Sequence, residues 1–290
     1  MEQLRWSLLL LGLTVSLPAC LAADAPAAKP PVTPIKAPKV VVKINPKDGA
    51  TMVWITAGKF LMGSTDAQIE ALCKANPSYK KDWFFGEKPQ HSLYLDGFWM
   101  YKNDVTVAQY NKFCAATARE MRPAPSWGWI DDHPVVDVTW DDAKAYAAWA
   151  GVTLPTEAQW EKAAHGADGL IYPWGNEWDA EKCNNWLAKH FLHKTSPVES
   201  YPSGASPYGC MDMAGNVWQW CADWYDKNYY KNSPIQNPTG PTTGTARVLR
   251  GGSWYSNDSR YYRATDRDCY NPLTRYVDIG FRCAVCSPGP

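Results

Sequence analysis

The pattern of apolar and polar positions predicts short strands and helices separated by long irregular stretches. Residues 51–64 contain two apolar runs around a turn at Ala57-Gly58, which predicts two short strands. Residues 92–96 alternate apolar and polar side chains, as a half-buried strand does. Further strands are predicted over 133–138, at the Trp-rich stretch that ends at 220, and at 248–249.

Four segments are predicted to be short helices, three of them behind a capping threonine: residues 67–75, 107–117 after Thr106, 140–150 after Thr139 and 157–164 after Thr156. Gln159 stands at the capping-box position of the last helix. We interpret the carboxylates in the first turns as capping and helix-dipole groups rather than catalytic acids.

Residues 247–283 have the most distinctive composition of the chain. They open with an apolar pair and Gly251-Gly252, where the missing Cβ allows positive φ or a close backbone approach. They close with the run IGFR. Between them, residues 255–278 are dense in Tyr, Asp, Arg, Ser, Asn and Thr and follow no regular period. A framed irregular segment of this kind commonly carries function, and a plain surface loop held by salt bridges is the alternative.

Composition indicates a folded chain with an unusual core. The hydrophobic content of 46% supports a sizeable core, and 29 basic residues against 29 acidic ones argue against a nucleic-acid partner bound through a basic field. Sixteen Trp and sixteen Tyr against seven Phe predict a polar, loop-rich interior, because buried Trp and Tyr need hydrogen-bond partners.

The N-terminus has the pattern of an export signal. Arg5 precedes an apolar run at 6–17 that is too short to span a membrane, and LPAC at 17–20 resembles a bacterial lipobox. We therefore expect a lipoprotein-type signal peptide at 1–19, lipidation of Cys20, a Pro/Ala-rich tether at 20–48, one folded domain at 49–286 and a tail at 287–290. Cleavage after Ala22 or Ala23, leaving a secreted or periplasmic protein, is the alternative; either route places the mature chain outside the cytoplasm.

Nine cysteines, less Cys20, leave eight that are able to pair as disulfides in an oxidising compartment. The sequence does not determine their connectivity, and Cys269 is also compatible with a free thiol. Cys283 and Cys286 form a CxxC without a second pair at metal-ligand spacing, which is poor support for a zinc or redox site.

The order of seven motifs resembles the formylglycine-generating enzyme family, also called sulfatase-modifying factors. The motifs lie at 52–64 (MVWITAGKFLMGS), 133–140 (HPVVDVTW), 154–161 (LPTEAQWE), 172–176 (YPWGN), 213–220 (MAGNVWQW), 250–254 (RGGSW) and 280–283 (GFRC). The resemblance covers about residues 50–285. It implies a single α+β domain with a C-type-lectin-like fold, little regular secondary structure and family calcium sites.

The resemblance also shows a departure in chemistry. Family oxidases hold copper through two cysteines shortly after the GGS motif, because soft thiolates suit Cu(I). Those positions are Ser256 and Tyr261 here, and Cys269 comes too late in the chain to replace the second cysteine. We therefore expect no copper and assign no catalytic residue.

The family calcium sites are matched in part. One match is Asn184 and Asn185 before a Trp, where a family carboxylate falls on a histidine. The other comprises the loop residues Asp212, Ala214, Gly215 and Asn216, close to Gln219, where many members have Glu. Amide, carboxylate and carbonyl oxygens suit a structural calcium ion, and a turn stabilised by Asx hydrogen bonds is the alternative.

The hypothesis that we favour is a binding module for an unknown protein or small-molecule ligand. The 255–278 segment also resembles the display surface of diversity-generating retroelement variable proteins, and its Tyr, Asn, Ser and Asp residues suit a contact surface. The predicted contact residues are Tyr255, Ser256, Asn257, Tyr261, Tyr262, Asp266, Asp268, Tyr270, Tyr276 and Asp278. Lipid anchoring would be the only membrane contact.

Two other functions stay open. Extracytoplasmic relatives without the cysteine pair are implicated in other oxidative maturations, and Arg260, Arg263, Asp266, Arg267 and Asp268 are candidates to line a pocket in such an enzyme. No pair of residues has the signature of a nucleophile with its base. An accessory subunit of a surface complex is the third hypothesis, and it predicts a large apolar patch.

Overall fold

Short elements account for most of the regular structure in the computed structural model, which describes residues 40–286 and 288–290. These residues belong to one compact unit, residues 37–290. The predicted signal peptide, Cys20 and most of the predicted tether lie outside the described residues. Within the described part of the chain, no helix combines the length and the apolar character that crossing a membrane requires.

The described residues form ten strands in three sheets. The strands are β1 (Val42–Ile44), β2 (Thr51–Ile55), β3 (Gly58–Met62), β4 (His91–Leu95), β5 (Phe98–Tyr101), β6 (Trp218–Trp224), β7 (Arg247–Arg250), β8 (Asp268–Tyr270), β9 (Ile279–Gly280) and β10 (Ala284–Val285). The sheet orders are β1-β2-β5-β10, β3-β4 and β8-β7-β6-β9. All pairings are antiparallel except β6 with β9, which is parallel.

Between residues 40 and 286 the chain forms four α-helices: α1 (Asp66–Ala75), α2 (Val107–Thr117), α3 (Trp140–Trp149) and α4 (Glu157–His165). Each begins with a capping box: a threonine hydroxyl accepts from the third backbone N–H, and the side chain at that third position accepts from the threonine N–H. The predicted helices and their three capping threonines are confirmed, as are the strands predicted within 51–64 and over 92–96.

The strand predicted over 133–138 is wrong. Pro134 makes only an isolated bridge with Thr106, and Asp137 has a φ of 59°. A positive φ breaks an extended strand, and proline lacks the N–H that a ladder uses. Three valines of this stretch are nevertheless buried, which explains the strand-like pattern.

The predicted boundary between tether and domain at 48/49 is also wrong, because the chain joins the fold earlier. Strand β1 pairs with β2 over three residues, from Val42↔Val53 to Ile44↔Thr51. Asp48 is 1% exposed, and its Oδ2 accepts hydrogen bonds from the hydroxyls of Tyr101 at 2.7 Å and Tyr146 at 2.6 Å. Residues 42–48 therefore belong to the folded domain rather than to a linker, with Asn45 and Asp48 buried in it.

Disulfide pairing does not occur among the eight cysteines between residues 40 and 286, whose thiols are all free. Five of them are buried: Cys114, Cys183, Cys210, Cys221 and Cys283. These five lie in three separate apolar clusters, where cysteine packs as a small hydrophobic side chain.

The Asp48 contacts predict a large loss of stability on truncation. In Asp48→Ala, two buried tyrosine hydroxyls lose their acceptor, and the Ala50 N–H loses its bond to Asp48 Oδ1. We expect the free energy of unfolding to fall by about 2–5 kcal/mol in urea titrations. Asp131→Ala, at an exposed position, is the control and should change it by less than about 0.5 kcal/mol. Equal effects of the two substitutions would contradict this account.

Candidate functional site

Residues 251–283 run across the sheet β8-β7-β6-β9. The segment leaves β7 through Gly251 and Gly252, whose φ values are 99° and 70°. A Cβ on Gly252 would lie 2.8 Å from Tyr262 Cδ1, so this position requires glycine. The chain then makes a short 3-10 turn (Ser259–Tyr262), returns as β8 beside β7, and ends at β9 beside β6. The region predicted as one irregular loop therefore contains a turn and a strand.

The ten predicted contact residues divide into three groups by burial. Four are exposed: Tyr255, Asn257, Tyr270 and Tyr276. Three are half-buried: Tyr261, Asp268 and Asp278. The remaining three, Ser256, Tyr262 and Asp266, are buried, so their prediction as contact residues is wrong. Tyr262 is fully buried because its hydroxyl donates to the backbone carbonyls of Ser253 and Ser256, which holds the segment down.

The two positions that match the family copper cysteines are committed to other contacts. Ser256 Oγ accepts from the Ser253 N–H at 3.1 Å, and Ser253 Oγ donates to Asp278 Oδ2 at 2.7 Å. Tyr261 packs edge-on against Trp218, with ring centroids 6.0 Å apart. Hydroxyl oxygens do not replace the thiolates that hold Cu(I), so the residues at these positions do not fit copper.

Cys269 does not supply the missing thiolate. It pairs with Val248 in the ladder between β7 and β8. Burial raises the pKa of its thiol to about 11, so the thiol stays protonated near neutral pH. Within the residues described, no group of three or more His, Cys, Asp or Glu side chains is placed to hold a metal ion.

The Asp212–Asn216 loop does not fit a calcium ion, because of Gln219. Gln219 Oε1 accepts from Trp160 Nε1 at 2.7 Å and from Arg282 Nε at 2.6 Å, and both of these groups only donate. The amide orientation is therefore fixed, and its NH₂ group donates to the Asp212 backbone oxygen at 2.7 Å. The backbone oxygen of Asp212, a candidate calcium ligand, is thus already bound by a side-chain donor. Arg282 Nη2 also donates to the Asp212 oxygen, at 3.2 Å.

The asparagines of the other predicted calcium site are used in hydrogen bonds. Asn185 Nδ2 donates to the Ala180 and Cys183 backbone oxygens, and its Oδ1 accepts from the Leu187 N–H. Asn184 Nδ2 donates to the Lys194 backbone oxygen at 3.0 Å and approaches Asn216 Oδ1 at 3.3 Å. The structure thus brings the two predicted sites together. Calcium at Asn184 and Asn185 stays a prediction.

Gly215 of the same loop packs against Asn184, whose carbonyl oxygen would lie 2.4 Å from an added Cβ. Neighbouring Ala214 is buried in a small apolar cluster with Cys183 and Tyr262. The loop therefore supports the segment above it through direct packing.

Three buried arginine–glutamate pairs, which the sequence patterns do not predict, tie the central segment to the scaffold. The pairs are Arg263 with Glu87, Arg267 with Glu157 and Arg250 with Glu161. Arg267 binds both carboxylate oxygens of Glu157, at 2.6 and 2.7 Å, and Arg263 binds both of Glu87, at 2.6 and 2.9 Å. Glu157, which the sequence indicates as a helix-start group, is therefore an anchor, as is Glu161 in the next turn. The high arginine content of 247–267 is the signal that points to them.

An aromatic surface lies beside the exposed part of the segment. It comprises Trp127, Trp186, Phe191, Trp254 and Tyr255, which contact one another with ring centroids 4.5 to 6.0 Å apart. Trp186 is 41% exposed and Tyr255 is 58% exposed. Trp186 directly follows Asn184 and Asn185, the residues of a predicted calcium site. The sequence therefore did not predict that Trp186 contacts the other aromatic residues of this surface.

The buried pairs predict strong coupling between Arg267 and Glu157. Arg267→Ala leaves a buried carboxylate without its bidentate partner, and we expect the free energy of unfolding to fall by about 3–5 kcal/mol. In the Arg267→Ala, Glu157→Ala double variant the loss should be smaller than the sum of the two single losses, because no buried charge is left alone. Urea unfolding of the four proteins measures this. Additive losses would argue against a direct pair.

Asp223 predicts a dependence of stability on pH. Burial, with Glu157 nearby, raises the pKa of Asp223 to about 7. Since the raised pKa favours the protonated folded form, this contribution to stability is complete below about pH 4 and is lost as the pH rises through about 7. The Asp223→Asn variant should lack this loss, which amounts to about 1.4 kcal/mol per pH unit within that window. Unfolding at pH 5 and pH 8 tests it, with exposed Asp226→Asn as control; a wild-type slope in Asp223→Asn would refute it.

Comparison with known proteins agrees with the motifs. The family model "Sulfatase-modifying factor enzyme 1-like domain" matches residues 38–286. The formylglycine-generating enzyme of Streptomyces coelicolor is 34% identical over 83% of this chain and 90% of its own length. PvdO from Pseudomonas aeruginosa is similar in structure, with a TM-score of 0.68 and 26% identity over 84% of this chain and 97% of that one.

Treponema denticola variable protein 1 shares the fold, with a TM-score of 0.65 and 22% identity over 86% of this chain and 99% of that one. The predicted α+β, C-type-lectin-like fold is thereby confirmed. The chain belongs to the sulfatase-modifying factor family.

Proposed function

We propose that this sulfatase-modifying-factor-like protein binds a protein or small-molecule ligand through the exposed part of residues 255–278 and does not form formylglycine with copper. The observation that supports this most directly is the pair of family copper positions. Ser256 is buried, and its hydroxyl accepts a hydrogen bond from the Ser253 N–H of the same loop. Tyr261 packs against Trp218. Without thiolates at these positions, the family's oxidative chemistry lacks its metal.

The exposed residues of the segment suit a contact surface. Tyr255 is 58% exposed, Tyr276 51% and Tyr270 38%. Tyr270 and Tyr276 contact edge to face, with ring centroids 5.5 Å apart, so their positions are restrained before a ligand arrives. Tyrosine offers a large amphipathic contact area at low entropic cost. The buried ion pairs beneath them add rigidity, which lowers the cost of ordering on binding.

We also propose that the chain acts outside the cytoplasm, anchored through a lipid on Cys20. The support is the apolar run at 6–17 followed by LPAC. Such an anchor would hold the proposed binding surface at a membrane.

The first experiment separates binding from family chemistry. Purified protein is analysed for copper and incubated under air with a peptide that carries Cys-x-Pro-x-Arg. We expect no stoichiometric copper and no aldehyde in the peptide by mass spectrometry. Stoichiometric copper with aldehyde formation would overturn the proposal and assign the activity of the Streptomyces coelicolor relative to this chain.

The second arm tests the surface. Proteins captured by the immobilised wild type should be lost when Tyr255, Tyr270 and Tyr276 are all changed to Ser. A control that carries Phe85→Ser, Tyr94→Ser and Ile235→Ser, at exposed positions outside the segment, should capture them as the wild type does. Capture that survives the tyrosine substitutions would place the binding surface elsewhere.

A further inference from the structure

A cleft of about 220 Å³ lies between helix α1 and the loop that follows α4. Its walls are apolar: Ala71, Leu72 and Ala75 of α1 on one side, and Leu170 and Ile171 on the other. Ile69 is the one buried residue of α1. Ala71, Leu72 and Ala75 of this helix therefore border the cleft instead of being buried in the core. A capped helix that leaves such a space beside it is suited to hold a ligand there.

The floor of the cleft is polar and hydrogen-bonded. Ser64 Oγ donates to Glu87 Oε2 at 2.7 Å and lies 3.1 Å from Thr265 Oγ1. Arg263 Nη1 donates to the same threonine oxygen at 3.0 Å. Arg263 and Thr265 belong to the central segment, but none of its exposed tyrosines lines this cleft. The site is therefore separate from the proposed contact surface.

The charges of the floor are already matched. The Arg263 guanidinium binds both oxygens of Glu87, and Asp266 Oδ1 lies 3.5 Å from Arg263 Nη2. An anionic ligand would find no free cation here, and a cationic one would compete with an arginine. Because a desolvated charge without a partner is costly, the floor favours an uncharged ligand.

Two buried side chains of the lining retain unused hydrogen-bonding groups. Among the described residues, Arg263 Nε has no hydrogen-bond partner, and His165 Nε2 lies 3.7 Å from Glu161 Oε1, beyond hydrogen-bond distance; the two side chains are 2% and 1% exposed. Burial lowers the pKa of His165 to about 3, so the imidazole is neutral and has one donor and one acceptor nitrogen. An unpaired buried polar group is costly, and a small shift of either side chain toward a bound polar atom would offset that cost.

We propose that this cleft binds an uncharged, single-ring small molecule that carries a carbonyl or amide group, with the ring between α1 and Leu170 and the polar group at the Ser64–Arg263–Thr265 floor. A cavity of about 150 Å³ holds benzene, so this larger space admits a ring with a short polar substituent. The inference goes beyond the proposed function, and either one stands if the other fails.

Benzamide is the probe that matches this chemistry. In ligand-observed saturation-transfer NMR with the full protein, benzamide at millimolar concentration should receive saturation from wild type. Benzoate, which has the same ring but a negative charge, should bind at least ten-fold more weakly. Absence of transfer to benzamide, or equal binding of benzoate, would overturn the proposal.

Substitutions on α1 locate the bound probe. Ala71→Trp fills the cleft and should weaken benzamide binding at least ten-fold, whereas Ala67→Trp, at an exposed position of the same helix outside the lining, should leave it unchanged. A second cleft of about 270 Å³ shares His165 and Leu170 but has no residue of α1, so binding there would survive Ala71→Trp and refute the assignment. Ala75→Trp repeats the test at another position of the wall if Ala71→Trp does not fold.

Discussion

This fold depends on one constraint: arginines that enter the core from a surface segment must each be paired with a buried carboxylate. Residues 250–267 contribute three arginines to the interior, and each meets a glutamate held by the scaffold. Removing a guanidinium from water costs several kcal/mol, and only close, bidentate carboxylate contacts with further hydrogen bonds compensate for it. The folded position of the segment therefore depends on glutamates that α4 and the turn at Lys81–Glu87 present to it.

This arrangement separates the roles of neighbouring residues along one short segment. Tyr255 and Asn257 are exposed on either side of buried Ser256, and half-buried Tyr261 precedes fully buried Tyr262. The buried members fix the backbone, so the exposed ones are free to differ at little cost in stability. The fold and the positions that match the family's copper cysteines depend on different residues here: the fold rests on the buried arginine–glutamate pairs, whereas those positions hold Ser256 and Tyr261.

Local signals in the sequence predicted much of the fold, and contacts across long separations explain most of the errors. The capping threonines act within four residues, so Thr106, Thr139 and Thr156 were readable directly. Asp48 was assigned to the tether, because its partners Tyr101 and Tyr146 lie 53 and 98 positions further on. The sequence predicted that tyrosines of residues 255–278 form a surface, but it did not predict which residues of this segment are exposed and which are buried. In an irregular segment, exposed and buried positions alternate with no fixed period.

The Asp48 contacts also determine how the domain would carry mechanical load. A pull on the chain upstream of Val42 reaches β1 first, and β1 is an edge strand that pairs with β2 over only three residues. Behind it, the carboxylate of Asp48 connects that edge to Tyr101 in β5 and Tyr146 in α3. A force that strips β1 from the sheet would next act on these buried hydrogen bonds, so we infer that the domain resists unravelling from its N-terminal side at Asp48.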